Sequence, residues 1–221
     1  MRKILSLSLL AAAALGGCTS VPTSTGIAAQ DQTGLPRATS LPDSHVPAAI
    51  PGGFVGFCLR FADQCELPGK SATTAPLTAQ NFALMTRVNR DTNAAIKPRD
   101  DIDHYGPADY WTIVTDGYGD CEDFALTKRK ALIDAGLPIA ALRLAVVLTP
   151  SRERHAILTV ATDRGDFVMD NFSNDVLPWT AVGYTWLSRQ DAKLPWRWDM
   201  LSADNAPSAP SAATRPGEGG D

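Results

Sequence analysis

Three side chains in this sequence are of the types that nucleophilic catalysis requires. Cys121 lies between acidic residues at the start of the stretch GDCEDFALTKRKALIDAG. A thiol there could be a buried packing group, half of a disulfide, a metal ligand or a nucleophile. A nucleophile needs an imidazole within hydrogen-bonding distance and a third group that orients the ring. The candidates are His155, which opens the apolar run HAILTVAT, and Asp170, in DFVMDN.

The residues that follow Cys121 predict a helix that begins at the cysteine. Acidic residues occupy its first turn, basic residues its second half, and Gly136 stands where a helix commonly ends. Asp120 precedes the helix as a candidate N-cap. Free backbone N–H groups and the positive end of the helix dipole stabilise a thiolate at this position. The neighbouring carboxylates raise the thiol pKa, so a histidinium or a bound hard cation is needed to offset them.

The same carboxylates are candidate metal ligands. Asp120, Glu122 and Asp123 offer oxygen atoms of the kind that calcium prefers. Helix capping and pairing with the helix dipole also explain acidic residues at these positions. Spacing alone favours capping, and calcium stays open as the second interpretation.

The two segments that carry the candidate base and orienter predict a β-hairpin. If its loop consists of Asp163 and Arg164, Thr162 pairs with the residue after the loop. Asp170 then lies diagonally across from His155 on the same face of the sheet, about 7 to 8 Å away. A loop of odd length would put the two side chains on opposite faces. The register of this hairpin therefore decides whether the two side chains can meet.

The N-terminus, MRKILSLSLLAAAALGGC, predicts export from the cytoplasm. Two basic residues precede an apolar run that is too short to span a bilayer, so residues 1–17 are a predicted signal peptide. The ending LGGC resembles the lipobox of bacterial lipoproteins, in which the cysteine, here Cys18, is acylated and becomes the new N-terminus. Thr19 carries no signal for retention at the inner membrane. We therefore expect a periplasmic protein with a lipid anchor in the outer membrane; the alternative is an ordinary cleaved signal.

Export also determines how the four cysteines are interpreted. In an oxidising compartment Cys58 and Cys65, in FCLRFADQCE, are predicted to form a local disulfide. Cys18 is predicted to be acylated and is therefore not available for a disulfide. Cys121 is left without a partner, so it is either buried and inert or reactive.

Composition divides the chain into a central domain and two flanking segments. Residues 18–51 and 202–221 are rich in Thr, Ser, Ala and Pro without periodicity, which predicts a flexible tether and a disordered tail. Residues 52–201 hold enough apolar side chains for one domain with its own core. Loss of the signal peptide removes two basic and no acidic residues, so the formal charge changes from -4 to -6. This charge argues against nucleic acid as a partner.

Three blocks together resemble one family. They are GDCEDFA at 119–125, HAIL at 155–158 and MDN at 169–171. With GFCLRFADQCE and NFSNDVLPWTAVGYTWLSRQ, they are similar to the alphaproteobacterial branch of the bacterial transglutaminase-like cysteine peptidases. The resemblance implies an α+β, papain-like or transglutaminase-like core in which the nucleophile helix packs on an antiparallel sheet.

The resemblance also implies roles for individual residues. By matching position, Cys121 is the nucleophile, His155 the general base and acid, and Asp170 the orienter. Members that cleave surface adhesins in the periplasm depend on calcium through acids beside the cysteine, which correspond to Asp120 and Glu122. The lipobox departs from those soluble relatives, so their adhesin substrate is not carried over.

Three functions remain open from the sequence. The first is a cell-envelope cysteine peptidase that hydrolyses amide bonds of a protein or peptide. The second is a transglutaminase or acyltransferase that uses the same acyl-enzyme. The third is a non-catalytic, calcium-responsive envelope lipoprotein. Trp111, ahead of the nucleophile, is predicted either to donate its indole N–H to an oxyanion or to pack in the core.

Overall fold

The computed structural model describes residues 34–67 and 69–201. The predicted signal peptide 1–17, the predicted lipidation site Cys18 and the predicted tail 202–221 lie outside these residues. In the described part of the chain, no helix combines the length and apolar character needed to cross a membrane.

The described chain forms four helices and nine strands, with short 3-10 turns between them. The helices are α1 (Gly52–Arg60), α2 (Ala79–Ala95), α3 (Asp101–His104) and α4 (Cys121–Asp134). The strands are β1 (Pro47–Ala48), β2 (Lys97–Pro98), β3 (Tyr118–Gly119), β4 (Leu142–Leu148), β5 (Arg154–Thr162), β6 (Gly165–Met169), β7 (Leu177–Pro178), β8 (Thr185–Gln190) and β9 (Trp198–Met200).

Seven of these strands form one antiparallel sheet in the order β1-β9-β8-β4-β5-β6-β7. Its central strands are buried on both faces, and alternate side chains enter two separate cores. Leu144 and Leu158 pack in the larger core with α4, while their neighbours Ala145 and Ile157 pack in a smaller core on the opposite face. The fold is therefore α+β, with a helix layer on an antiparallel sheet, as the sequence predicted.

The helix that carries the candidate nucleophile begins at Cys121, as predicted. It ends at Asp134, and Gly136 follows with a φ of +92°, the left-handed conformation that glycine adopts readily. The backbone N–H of Leu137 donates to the carbonyl of Leu132 and closes the last turn. The helix packs against β5 and α2, which brings its N-terminus to the start of β5.

The hairpin of β5 and β6 has the two-residue loop that the sequence predicted. Thr162 pairs with Gly165, so Asp163 and Arg164 form the turn. Gly165 has a φ of +100°, and a Cβ atom there would lie 2.3 Å from the carbonyl oxygen of Ala38. Glycine is thus required both by the turn and by the N-terminal segment that passes over it.

This N-terminal segment belongs to the folded unit, which differs from the predicted boundary after residue 51. Leu41 is 2% exposed, and its N–H donates to Asp166 Oδ2 over 2.9 Å. The Asp43 carboxylate accepts from the guanidinium groups of Arg143 and Arg189, each over 2.7 Å. Residues 34–51 therefore lie along the sheet rather than in the tether. The sequence does not predict this contact with the sheet, because residues 34–51 pack through single side chains and have no periodic apolar pattern.

The predicted disulfide between Cys58 and Cys65 is present, with an S–S distance of 1.98 Å. It joins α1 to the 3-10 turn that follows it. Cys121 is the free cysteine of the described chain.

Candidate active site

His155 and Asp170 form a buried hydrogen-bonded pair. The His155 Nε2 and Asp170 Oδ1 atoms are 2.8 Å apart, and the side chains are 3% and 4% exposed. The hydroxyl of Tyr184 donates to Asp170 Oδ2 over 2.5 Å, and the N–H of Phe172 donates to Oδ1 over 3.1 Å. Burial opposes ionisation, but the hydrogen bond and charge of His155 outweigh it and lower the Asp170 pKa. Asp170 is therefore a carboxylate placed where it can orient the imidazole.

Two aromatic rings fix the position of the imidazole. The Phe172 ring stacks on His155 with a centroid distance of 4.3 Å and an interplanar angle of 3°. The Tyr184 ring meets His155 edge-on at 5.8 Å. Since Nε2 is bound to Asp170, Nδ1 is the nitrogen that remains for proton transfer.

Cys121 lies at the N-terminus of α4 against the start of β5. Its Sγ accepts a hydrogen bond from the N–H of Ala156, the residue after His155, over 3.4 Å. Cys121 and His155 line one cavity of about 500 Å³, together with Trp111 and Arg154. The structure thus places Cys121 and His155 at one cavity, with Asp170 hydrogen-bonded to His155.

The electrostatic surroundings of Cys121 favour the neutral thiol. Sγ donates to Glu122 Oε2 over 3.1 Å. Burial and the charge of Glu122 raise the Cys121 pKa, and these effects outweigh the N–H of Ala156, which acts in the opposite direction. The sequence predicts this conflict between the helix N-terminus and the acids. Burial and the acids together outweigh the donors that favour the thiolate.

A third carboxylate, Asp101 of α3, joins Asp120 and Glu122. One ligand atom from each of the three lies within 4.8 Å of the others. Asp101 and Asp120 each have a buried Oδ1 atom with no hydrogen-bond partner among the described residues. Burial raises the Asp120 pKa to about 8, with repulsion from Glu122 and Asp101 adding to it. Burial also raises the pKa values of Asp101 and Glu122.

These observations fit a hard cation better than helix capping. Asp120 occupies the N-cap position of α4, yet within the described chain its side chain makes no capping hydrogen bond. Unpartnered buried carboxylate oxygens are costly, and a calcium ion coordinated by several carboxylates removes both the desolvation cost and the mutual repulsion. Asp101, Asp120 and Glu122 together are therefore suited to hold calcium.

Sequence reasoning missed Asp101 because it lies far from the nucleophile along the chain. The short parallel pairing of β2 with β3 brings the two segments together: Lys97 pairs with Tyr118, and the Arg99 N–H donates to the Gly119 carbonyl over 3.0 Å. The acidic run DDIDHYG was the available signal, but two-residue strands leave no recognisable pattern in a sequence.

Asp123, the third acid considered as a ligand, serves another purpose. Its Oδ1 accepts from the N–H of Thr112 over 2.7 Å, and the residue is fully buried. Burial raises its pKa to about 8. It lies against Gly119, where a Cβ atom would be 2.8 Å from the Asp123 side chain. Asp123 thus ties the segment ahead of the nucleophile to α4.

Trp111 packs in the wall of the cavity, and its indole N–H is already engaged. Nε1 donates to Asp109 Oδ1 over 2.7 Å, and the side chain is 4% exposed. Asp109 Oδ2 accepts from the N–H of Gly53 over 2.6 Å. Of the two predicted roles for Trp111, the structure therefore favours packing over donation to an oxyanion.

Known proteins include one family and several solved structures that are similar to this chain. Residues 45–206 match the family model of the bacterial transglutaminase-like cysteine proteinases. Calcium-bound LapG of Legionella pneumophila is similar at 22% identity and a TM-score of 0.45, with 53% of this chain and 68% of that chain covered. EGTA-treated LapG from the same organism is similar at 23% identity and a TM-score of 0.44, with 52% and 64% covered.

A search of curated proteins finds no match. The family match nevertheless extends over well more than half of the 221 residues and includes all three sequence blocks around Cys121, His155 and Asp170. The chain belongs to the bacterial transglutaminase-like cysteine proteinases and is a cysteine peptidase with an α+β core.

Proposed function

We propose that this protein is a cell-envelope peptidase that hydrolyses amide bonds of a protein or peptide through Cys121, His155 and Asp170. The observation that carries the proposal is the buried 2.8 Å hydrogen bond between His155 and Asp170 at the cavity that also contains the free thiol. Burial of these two polar side chains has a desolvation cost, and a role in orienting a proton-transfer group accounts for the presence of the pair.

The reaction follows from these three groups. His155 Nδ1 takes the proton of Cys121, and the sulfur attacks the amide carbonyl carbon. The imidazolium then protonates the leaving nitrogen, the C–N bond breaks and a thioester remains on Cys121. A water molecule loses a proton to His155 and attacks the thioester. The acid product leaves, and the proton returns to the sulfur.

Two features of the chain assist these steps. Asp170 holds the ring orientation and stabilises the imidazolium while it carries the extra proton. The first-turn N–H groups of α4 have no partner within the helix. They lie at the helix end that carries Cys121, where they can donate to the substrate carbonyl oxygen when it becomes negative.

Calcium would be held by Asp101, Asp120 and Glu122 and would supply positive charge beside the thiol. The unpartnered oxygens of Asp101 and Asp120 support this part of the proposal. With the acids neutralised, the helix N-terminus, the N–H of Ala156 and the imidazole of His155 favour the thiolate, and burial is the influence that still raises the Cys121 pKa.

The envelope location and the membrane partner rest on the N-terminal sequence. The signal peptide 1–17 would direct export and be removed. Acylated Cys18 would then retain the protein at the periplasmic face of the outer membrane. Mass spectrometry of the protein purified from membranes tests this directly. A diacylglyceryl group on Cys18 is the expected result, and an unmodified N-terminus at another residue would contradict it.

The rate of alkylation of Cys121 by iodoacetamide tests the catalytic proposal. We expect fast labelling of the folded protein at neutral pH with calcium, and at least tenfold slower labelling of His155→Ala, since about 1.4 kcal/mol of thiolate stabilisation corresponds to a factor of ten. His45→Ala is the matched control, because its side chain is 73% exposed and it does not line the cavity that contains Cys121. Equal labelling of all three proteins would contradict the proposal.

The substrate is identified by comparing envelope proteomes. A protein fragment present in the wild-type strain and absent from both a null strain and a Cys121→Ala strain marks the cleaved bond. If the fragment persisted in the Cys121→Ala strain, this thiol would not be the nucleophile.

A further inference from the structure

Three side chains of metal-ligating types meet beside the edge strand β1, away from the catalytic residues. They are His45, which precedes β1, Asp191, which follows β8, and Asp199 of β9. One ligand atom from each lies within 4.8 Å of the others. This cluster shares no residue with the acidic cluster beside Cys121, and none of its three members lines the catalytic cavity.

Asp199 presents a buried carboxylate oxygen without a hydrogen-bond partner. The residue is 1% exposed, and its Oδ1 accepts from Arg197 Nε over 2.7 Å. Its Oδ2 has no hydrogen-bond donor among the described residues and lies 3.9 Å from His45 Nδ1, a separation too long for a hydrogen bond. An unpartnered buried carboxylate oxygen is costly, and coordination to a metal removes that cost. The oxygen therefore indicates a ligand between Asp199 and His45.

The backbone around His45 brings its imidazole to this oxygen. β1 pairs with β9 so that Pro47 lies opposite Asp199, and the Met200 N–H donates to the Val46 carbonyl over 2.8 Å. His45 itself has a φ of +58°, a left-handed conformation that a non-glycine residue adopts at a cost. Its side chain is 73% exposed, so the imidazole can adjust its position without disturbing the core.

Asp191 adds a second carboxylate from the loop between β8 and β9. Its Oδ1 accepts from the N–H groups of Lys193 and Leu194 over 2.7 and 2.9 Å, which fixes the side chain. The Arg197 guanidinium binds Asp199 Oδ1 and also donates to the His45 carbonyl over 2.7 Å. Two carboxylates and one guanidinium leave the cluster with one negative charge, which favours a divalent cation.

We propose that His45, Asp191 and Asp199 form a zinc site that links the N-terminal segment to β9. One imidazole and two carboxylates are a donor set that zinc accepts, whereas calcium takes oxygen ligands. In a tetrahedral site with bonds of about 2 Å, neighbouring ligand atoms lie about 3.3 Å apart. The 3.9 Å between His45 Nδ1 and Asp199 Oδ2 therefore needs to shorten by only about 0.6 Å. The fourth position is open to water.

The link lies close along the chain to the catalytic cavity. β1 begins two residues after His45, and Pro51 and Gly52, which follow β1, line that cavity. A metal bound at His45 therefore holds the segment that leads into one wall of the cavity. The same segment connects the folded domain to the predicted lipidation site.

Isothermal titration with zinc chloride tests the site in the detergent-solubilised full-length protein without an affinity tag. Excess calcium occupies the acidic cluster, and every protein carries Cys121→Ala, which removes the thiol as a competing zinc ligand. We expect one zinc ion per chain. His45→Ala and Asp191→Asn should each weaken binding at least about tenfold, since loss of a group that only supports a ligand already costs about 10- to 100-fold. His104→Ala, whose imidazole pairs with Asp116 instead, is the control and should keep the parent affinity.

Nitrogen NMR of the imidazoles identifies the ligand directly, because the chain has 3 histidines. On addition of zinc the ring nitrogens of His45 should shift, and those of His104 and His155 should stay in place. Absence of zinc binding, equal affinity in the parent and both ligand variants, or a shift confined to His155 would overturn the proposal. None of these results bears on the peptidase function, which does not depend on this cluster.

Discussion

Lys128 is the least favourably placed charged group of the described chain, and replacing it should stabilise the protein. It lies on α4, is fully buried, and its Nζ has no hydrogen-bond partner among the described residues. The Phe124 ring centroid is 5.8 Å from Nζ, and the charge of Asp170 attracts the ammonium group. Burial outweighs this attraction and lowers the Lys128 pKa from 10.5 to about 7.

The magnitude follows from proton linkage. Each factor of ten in a protonation equilibrium corresponds to about 1.4 kcal/mol. At pH 7 an unfolded lysine is fully protonated, so burial of Lys128 lowers the free energy of unfolding by about 4 kcal/mol. At pH 9 burial lowers the free energy of unfolding by about 2 kcal/mol. The effect is smaller because the pH is then closer to the unfolded pKa of 10.5, so the proton that folding releases is lost more easily. Between the folded and unfolded pKa values the unfolded chain binds more protons, so this contribution makes stability rise with pH.

Urea unfolding of Lys128→Met between pH 6 and pH 9 measures this effect. We expect the variant to be more stable by about 4 kcal/mol at pH 7, with the difference shrinking to about 2 kcal/mol at pH 9. Lys130→Met is the control, because Lys130 is 40% exposed and pairs with Asp134. Its stability difference should be small at every pH. A Lys128→Met protein that is less stable than the wild type, or a difference that does not vary with pH, would refute the reasoning.

Three further predictions concern the site and the crosslink. Asp101→Asn should raise the melting temperature in EGTA, because it relieves repulsion among buried carboxylates, and should reduce the rise caused by calcium; a calcium-induced rise equal to that of the wild type would contradict the cation site. Tyr184→Phe should lower the free energy of unfolding by about 2 kcal/mol in urea titrations, because it removes a hydrogen bond to the ionised Asp170; an unchanged midpoint would mean that this bond is weak. Cys58→Ser should lower the free energy of unfolding by about 2 kcal/mol through loss of the disulfide. A reductant should have no further effect on the stability of this variant, and a further loss of stability with reductant would indicate another crosslink.

The parts of this protein that the sequence predicted depend on local patterns. The helix of Cys121 is bounded by its charge distribution and Gly136, and a two-residue turn sets the hairpin register that brings Asp170 to His155. Both are short-range effects, in which neighbouring residues restrict the backbone. The disulfide between Cys58 and Cys65 closes a similarly short loop.

The remaining features arise from contacts between segments that are distant along the chain. Asp101 reaches the acidic cluster through a two-residue strand pairing, and Asp43 binds two arginines of the sheet from a segment with tether-like composition. Phe172 covers the imidazole only because the Asp170 carboxylate turns the backbone after the strand. Such contacts depend on the positions of whole elements relative to one another, which no local pattern encodes. Local sequence therefore determined the reactive groups, and tertiary packing decided their charge environment and their neighbours.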